Sequence, residues 1–224
     1  MSVAESIAKR VKHMRKGKPF NKALFAEEGS RTSVNKALSR MTRSGLLERV
    51  ARGIYMRPKI SEYTGRNVRA NPITVMETVA KASGETIQIH GVEAVRRLGL
   101  STQMQVLPTY YTSGSTREIK MGNAVVRLRH SSWQRLQQAG TQAGLALTAL
   151  FYLGKEGMTD QVIGKILCSL SAKEYSELMA CKMPNWMRKV LAGFHGNDQP
   201  QMRSQRFCAF TRLSSPHLFC GSCQ

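Results

Sequence analysis

The sequence predicts an α+β protein: a small helical unit closed by a two-stranded hairpin, then a mixed α/β unit that ends in helices. Three observations predict it. Apolar residues recur at helical spacing as far as Gly45 and then switch to short strand-like runs that end at Pro58. A polar, basic stretch closes with Asn71-Pro72, after which helical and strand-like patterns alternate. The charge is uneven as well. Lys plus Arg number 34 against 14 Asp plus Glu, a net +20, and residues 1–70 hold 17 of the cations with only 5 carboxylates. The expected divisions are residues 1–60, a linker at 61–71, a second unit at 72–196, and an irregular or disordered tail at 197–224.

Ser2 and Glu5 have capping-box spacing, and Val3, Ile7, Val11 and Met14 then share one helical face until Gly17. Asn21 is placed to cap a short second helix, with Phe20 and Phe25 positioned as a hydrophobic staple across the cap. Glu28-Gly29 breaks the chain, and Ser30 or Thr32 can cap a third helix that Gly45 stops in a left-handed C-cap position. In this third helix Val34, Ala37, Leu38 and Met41 form an apolar stripe. Arg31, Thr32, Ser33, Asn35, Lys36, Ser39, Arg40 and Arg43 point away from it, with no carboxylate among them. Such a face suits a polyanion, although a merely solvated basic face is the plainer alternative.

Leu46 to Val50 and Ile54 to Arg57 read as strands joined by Ala51-Arg52-Gly53. Three helices followed by a hairpin make a winged helix-turn-helix, in which the third helix enters the major groove and the hairpin lies along the backbone or minor groove. Arg49, Arg52 and Arg57 then become phosphate or minor-groove contacts, unless they only protect a solvated hairpin edge.

The second unit is expected to start with a helix on Ile73, Met76, Val79 and Ala80, followed by a strand at Thr86 to His90 and a helix ending at Gly99. Strands at Gln105 to Thr112, Arg117 to Met121 and Ala124 to Arg129 follow, the last two joined by Gly122-Asn123, for a small antiparallel sheet. Val126 and Leu128 should face inward, Arg127 and Arg129 outward. Leu145 to Leu153 reads as a buried helix, Thr159 or Asp160 starts another, Ser171 with Glu174 repeats the capping box, and Pro184 precedes a last helix from Trp186 to Phe194.

Two stretches carry a family likeness. The first runs Ser33-Val34-Asn35-Lys36-Ala37-Leu38-Ser39-Arg40 and leads into Gly45-Leu46-Leu47-Glu48-Arg49-Val50-Ala51-Arg52-Gly53-Ile54-Tyr55. The second runs Leu98-Gly99-Leu100-Ser101-Thr102-Gln103, then Pro108-Thr109-Tyr110-Tyr111-Thr112-Ser113-Gly114 and Val126-Arg127-Leu128-Arg129-His130. With these the chain resembles the antitoxin component of AbiE-type (type IV) toxin–antitoxin systems, the AbiEi-like transcriptional regulators, over roughly residues 1–195. The resemblance implies an amino-terminal winged helix that represses its own operon at inverted repeats of double-stranded DNA. It also implies a carboxy-terminal domain serving antitoxicity, and a nucleotidyltransferase toxin as functional partner, with no tight complex required.

Several classes are not expected. The longest apolar run, Ala143 to Leu153, is too short to span a membrane, no signal peptide is legible in Met1 to Gly17, and a cytoplasmic protein is expected. Asp160 and Asp198 are the only aspartates, and no carboxylate cluster, phosphate-binding loop, nucleophile elbow or zinc-helix motif is present, so neither an enzyme nor a cofactor is expected. Ser113, Ser115, Thr116 and Arg117 form a hydroxyl-rich turn able to grip an anion or partner, with Arg127 and Arg129 nearby; a plain connecting loop is the alternative. His90 and His130 close predicted strands as hydrogen-bonded structural groups. Cys168 and Cys181 are expected to be buried thiols. Cys208, His217, Cys220 and Cys223 could supply four zinc ligands, but a metal-free tail with reduced thiols is the preferred reading. The protein should act as a monomer or a weak dimer on DNA. Alternative readings are a regulator of a mobile element with no toxin partner, and an RNA-binding module, which would call for aromatic stacking groups that the basic helix lacks.

Overall fold

Capping chemistry sets the first elements. In the computed structural model, which describes residues 2–197, Ser2 Oγ accepts the Glu5 N–H and Glu5 accepts the Ser2 N–H, a closed capping box that starts α1 (Val3–His13). The chain turns into β1 (Pro19–Asn21). Asn21 Oδ1 then accepts the Ala23 N–H at 2.8 Å and starts a 3-10 helix, Lys22–Glu28, broken by non-helical backbone at Phe25. Phe20 and Phe25 meet edge to face across this cap with ring centroids 5.8 Å apart, the staple expected from their spacing. α2 (Arg31–Arg43) follows, then β2 (Glu48–Ala51) and β3 (Ile54–Met56).

The sequence did not signal β1, because three residues show no periodicity. It pairs antiparallel with β3, giving a three-stranded sheet in the order β1-β3-β2. Val34, Leu38 and Met41 of α2 pack with Ile7 and Val11 of α1 and with Phe25. Burying side chains of this size contributes about 1.5–3 kcal/mol each, so this packing, not helix propensity, fixes how α2 sits.

The second half comprises α3 (Pro72–Ala82), β4 (Ile87–Ile89), α4 (Gly91–Arg97), β5 (Thr109–Thr112), β6 (Arg117–Met121) and β7 (Ala124–His130), then α5 (Trp133–Leu136), α6 (Gln142–Leu153), α7 (Asp160–Cys168), α8 (Ala172–Ala180) and α9 (Asn185–Asn197). Residues Ala143 to Leu150 of α6 are all buried, so this helix is the centre of the helical end and carries apolar side chains on every face. The two halves share packing. Ile54 of β3 lies in one cluster with Val75 and Met76 of α3 and with Ile119, Val126 and Leu128 of the second sheet. No helix among the described residues is long and apolar enough to cross a membrane.

The small antiparallel sheet expected for the second unit is instead a mixed, four-stranded one in the order β4-β5-β7-β6, with β5 and β7 parallel. The connection 113–116 carries the chain past one strand position, a gap of about 10 Å, and the hairpin at Gly122-Asn123 folds β7 back into the vacant slot. β5 also starts later than expected. Pro108 has no N–H to give a ladder, while its carbonyl accepts the Arg127 N–H at 2.9 Å. As expected, Val126 and Leu128 are buried while Arg127 and Arg129 are exposed.

Cys181 is buried, but Cys168 is exposed, which corrects the expectation of two buried thiols. It lies two residues past the buried Ile166, about 200° around α7 and hence on the far side from the core. The expected tail beyond Asn197, with Cys208, His217, Cys220 and Cys223, lies outside the described residues.

Candidate nucleic-acid interface

Ser30 Oγ accepts the Ser33 N–H at 3.2 Å and also lies 3.0 Å from Thr32 Oγ1 and 2.9 Å from Ser33 Oγ, so hydroxyls tie off the first turn of α2. Ser44 Oγ donates to Met41 O, and Gly45 is left-handed at φ +75°, which ends the helix. Between these caps Arg31, Thr32, Asn35, Lys36, Ser39, Arg40 and Arg43 are exposed, and Ser33 is half-buried in the cap. None of the ion pairs among the described residues involves a cation of α2. The nearest acid of the preceding helix, Glu28, turns the other way. It accepts from Ser6 Oγ and from Arg10 Nη1, and those two hydrogen bonds, the hydroxyl first, hold its carboxyl below the usual range.

Beside α2 stands the hairpin β2–β3, with Arg49 and Arg52 exposed. The pairing slips between Arg49 and Ala51, a bulge that sharpens the local twist. Lys22, which the sequence pattern did not single out, joins hairpin and helix. Its backbone N–H donates to Gly53 O at 3.0 Å and its Nζ donates to Asn35 Oδ1 at 3.2 Å. The only sequence signal for it was its position directly after an N-cap asparagine. Asn35 keeps both amide N–H donors for other partners.

Arg57 behaves differently from the other hairpin arginines. It is half-buried, and Nη1 donates to Lys12 O at 2.6 Å and Met14 O at 2.7 Å, satisfying the carbonyls at the end of α1. Its guanidinium ties α1 to the sheet.

The hydroxyl-rich loop between β5 and β6 is already filled by the chain itself. Arg117 Nη2 lies 2.8 Å from both carboxylate oxygens of Glu85, and Thr112 Oγ1 donates to Glu85 Oε2 at 2.8 Å. Ser113 Oγ accepts the Thr86 N–H, Thr116 Oγ1 accepts the His130 N–H, and His130 Nδ1 lies 2.8 Å from Gly114 O, so the ring nitrogen donates there. Among the described residues Ser115 is engaged through its backbone carbonyl alone, which accepts from Arg117 Nη1. Sequence reading had no means of finding Glu85, which lies 32 residues from Arg117. Arg127 pairs with Glu118 across the strands, whereas Arg129 stays exposed beside His90. The arginine that an anion-gripping reading of this loop would need is neutralised by an internal carboxylate, which favours the alternative of a plain connecting loop.

His90 caps α4, with Nδ1 accepting the Val92 N–H at 3.4 Å, and its ring packs on Tyr111 at 4.8 Å. Burial, and then the charge of Arg129, push its pKa below the ordinary histidine value. On α4, Glu93 binds Arg96 and Arg97, and the Arg96 hydrogen bonds lower its pKa to about 2. Among the described residues no three His, Cys, Asp or Glu side chains converge as metal ligands.

A search of curated proteins finds no match to this sequence. One family model does match, over residues 6–178, more than three quarters of the chain, and it reaches from α1 into α8. The protein therefore belongs to that family, described as a family of unknown function (DUF6088).

Proposed function

We propose that this protein binds double-stranded DNA sequence-specifically as a transcriptional repressor of its own operon, with α2 as the helix that reads the major groove. The observation that carries the proposal is the outer face of α2: Arg31, Lys36, Arg40 and Arg43 are exposed, no carboxylate lies within the helix, and no ion pair among the described residues engages them. Unpaired cations on a rigid, core-backed helix gain from phosphate neutralisation, while Asn35 and Arg40 have the donor sets that fit adenine and guanine edges. The order helix, strand, 3-10 helix, helix, hairpin, with the sheet order β1-β3-β2, supports reading residues 1–60 as a winged helix-turn-helix with Arg49 and Arg52 on the wing. In that frame the Lys22–Asn35 hydrogen bond holds wing and reading helix in one register.

The proposal extends to the antitoxin of a type IV pair whose toxin is a nucleotidyltransferase, supported by the likeness in residues 33–55 and 98–130. No catalytic step is assigned to this chain, which acts as the binding partner of DNA. Selection of bound duplexes from a random pool tests the DNA reading. Enrichment of an inverted repeat is expected, and recovery of unrelated sequences at equal affinity would reject sequence-specific repression. A nucleotidyltransferase gene adjoining this one is the expected companion, and its absence would remove the antitoxin part alone.

A further inference from the structure

The segment between the two halves reads as a linker by composition, yet it is pinned by its own backbone. Val68 N–H donates to Lys59 O at 2.7 Å, Ser61 N–H to Arg66 O at 2.9 Å and Gly65 N–H to Ser61 O at 2.9 Å, with a bridge between Ile60 and Asn67. This small hairpin carries Tyr63 at its tip, 100% exposed. Its base rests on the turn after α1: Gly17 N–H donates to Arg57 O at 2.9 Å, and the position a Cβ would take at Gly17 is 3.3 Å from Lys59 Cδ. Gly17 is left-handed at φ +78°, so the close approach of the Lys59 methylenes and the backbone conformation both suit glycine.

These contacts set the 15–18 turn, with Arg15, Lys16 and Lys18, against Lys59 at the base of a hairpin that carries Arg66, Arg69 and one exposed tyrosine. All six cations are exposed, and none takes part in an ion pair among the described residues. Across residues 12–18 and 57–69 the only carboxylate is Glu62. The cluster lies at the opposite end of β3 from the turn that joins β2 to β3. β3 pairs Ile54 with Asn21 near Lys22 and Gly53, and Met56 with Pro19 at its other end, beyond which Lys59 lies.

We infer that the 59–69 hairpin and the 15–18 turn form a second nucleic-acid contact, which holds a single strand by its phosphates and by stacking one base on Tyr63. A solvated basic loop needs no aromatic ring. A fully exposed ring on a hydrogen-bonded turn, in a segment whose cations outnumber its one carboxylate, combines the two features that single-strand binding uses, a charged track and a stacking platform. The α2 face offers only the charge. The two contacts are separable: α2 takes the duplex, and the hairpin takes an unpaired strand.

Fluorescence anisotropy of the full chain with labelled oligo(dT), and separately with a mixed-sequence duplex, tests this. Tyr63→Ala is expected to weaken oligo(dT) binding on the order of tenfold while leaving the duplex unchanged, and Arg66→Ala with Arg69→Ala to weaken it further and flatten its salt dependence. Lys36→Ala is expected to lower duplex affinity only, which separates this inference from the proposal for α2. Tyr63 touches no core, so a melting curve like that of the wild type accompanies the expected result. The inference is overturned if wild-type protein ignores oligo(dT), if Tyr63→Ala binds it as tightly, or if both probes weaken in parallel.

Discussion

Arg117 Nη2 lies 2.8 Å from each carboxylate oxygen of Glu85, so the loop between β5 and β6 closes on an acid of the same chain. Both side chains are largely shielded, with 28% and 14% of their surface exposed. Removing the acid strands Arg117 and the Thr112 hydroxyl. Glu85→Ala is therefore expected to lower stability by about 1–3 kcal/mol, read as a drop in the urea midpoint. An unchanged midpoint would show that water replaces the carboxylate without cost.

Gly114 depends on the same pair. A Cβ there would stand 2.4 Å from Glu85 Cδ and 2.5 Å from Oε2, and the carboxylate cannot swing aside while Thr112 and Arg117 hold it. Gly114→Ala should cost about 1–3 kcal/mol through overpacking. Combined with Glu85→Ala the clash disappears, so the two costs should fall well short of additive in a double-mutant cycle. Simple additivity would mean the strain at Gly114 has another source.

Arg57→Ala separates a strut from a phosphate contact. Without the bonds to Lys12 O and Met14 O, stability should fall by about 1–3 kcal/mol, while duplex affinity measured well below the melting temperature stays as in the wild type. The opposite pattern, full stability with weakened binding, would restore the direct contact expected from the sequence.

Acidification should act through His90 first. Burial and Arg129 hold its folded pKa below the ordinary 6.5, so above that pH both folded and unfolded chains carry it neutral and its contribution is fully present. As pH falls through 6.5 the unfolded chain takes up a proton that the folded chain resists, and stability declines until the folded pKa is reached. His90→Asn keeps an N-cap acceptor and should remove this part of the slope in a melting series. A second, lower window belongs to Glu93, whose pKa of about 2 against an ordinary 4.5 means that its contribution fades between those values.

Much of the first unit was legible because its signals are local. The Ser2–Glu5 box, the Asn21 cap, the Phe20–Phe25 staple and the Val34–Met41 stripe each involve residues a few positions apart, where helical geometry dictates who meets whom. Pairings set by topology were not legible. The parallel β5–β7 register, the reach of Glu85 to Arg117 and the commitment of Arg57 to α1 join residues far apart in sequence, and nothing in the composition of either partner announces the other. The 59–69 hairpin falls between these cases. Its Ser61-x-x-Thr64-Gly65 turn between Ile60 and Val68 was readable, but its basic, polar character pointed to a linker.

The most direct measurement is the salt dependence of duplex binding by wild type and by Lys36→Ala and Arg40→Ala. If α2 lies in the groove, each substitution should flatten the plot of log affinity against log salt by about 0.9 for every phosphate no longer neutralised, and Arg40→Ala should cost about 1–3 kcal/mol on the selected sequence if it reads a guanine. Slopes and affinities indistinguishable from wild type in both variants would contradict α2 as the DNA-reading helix.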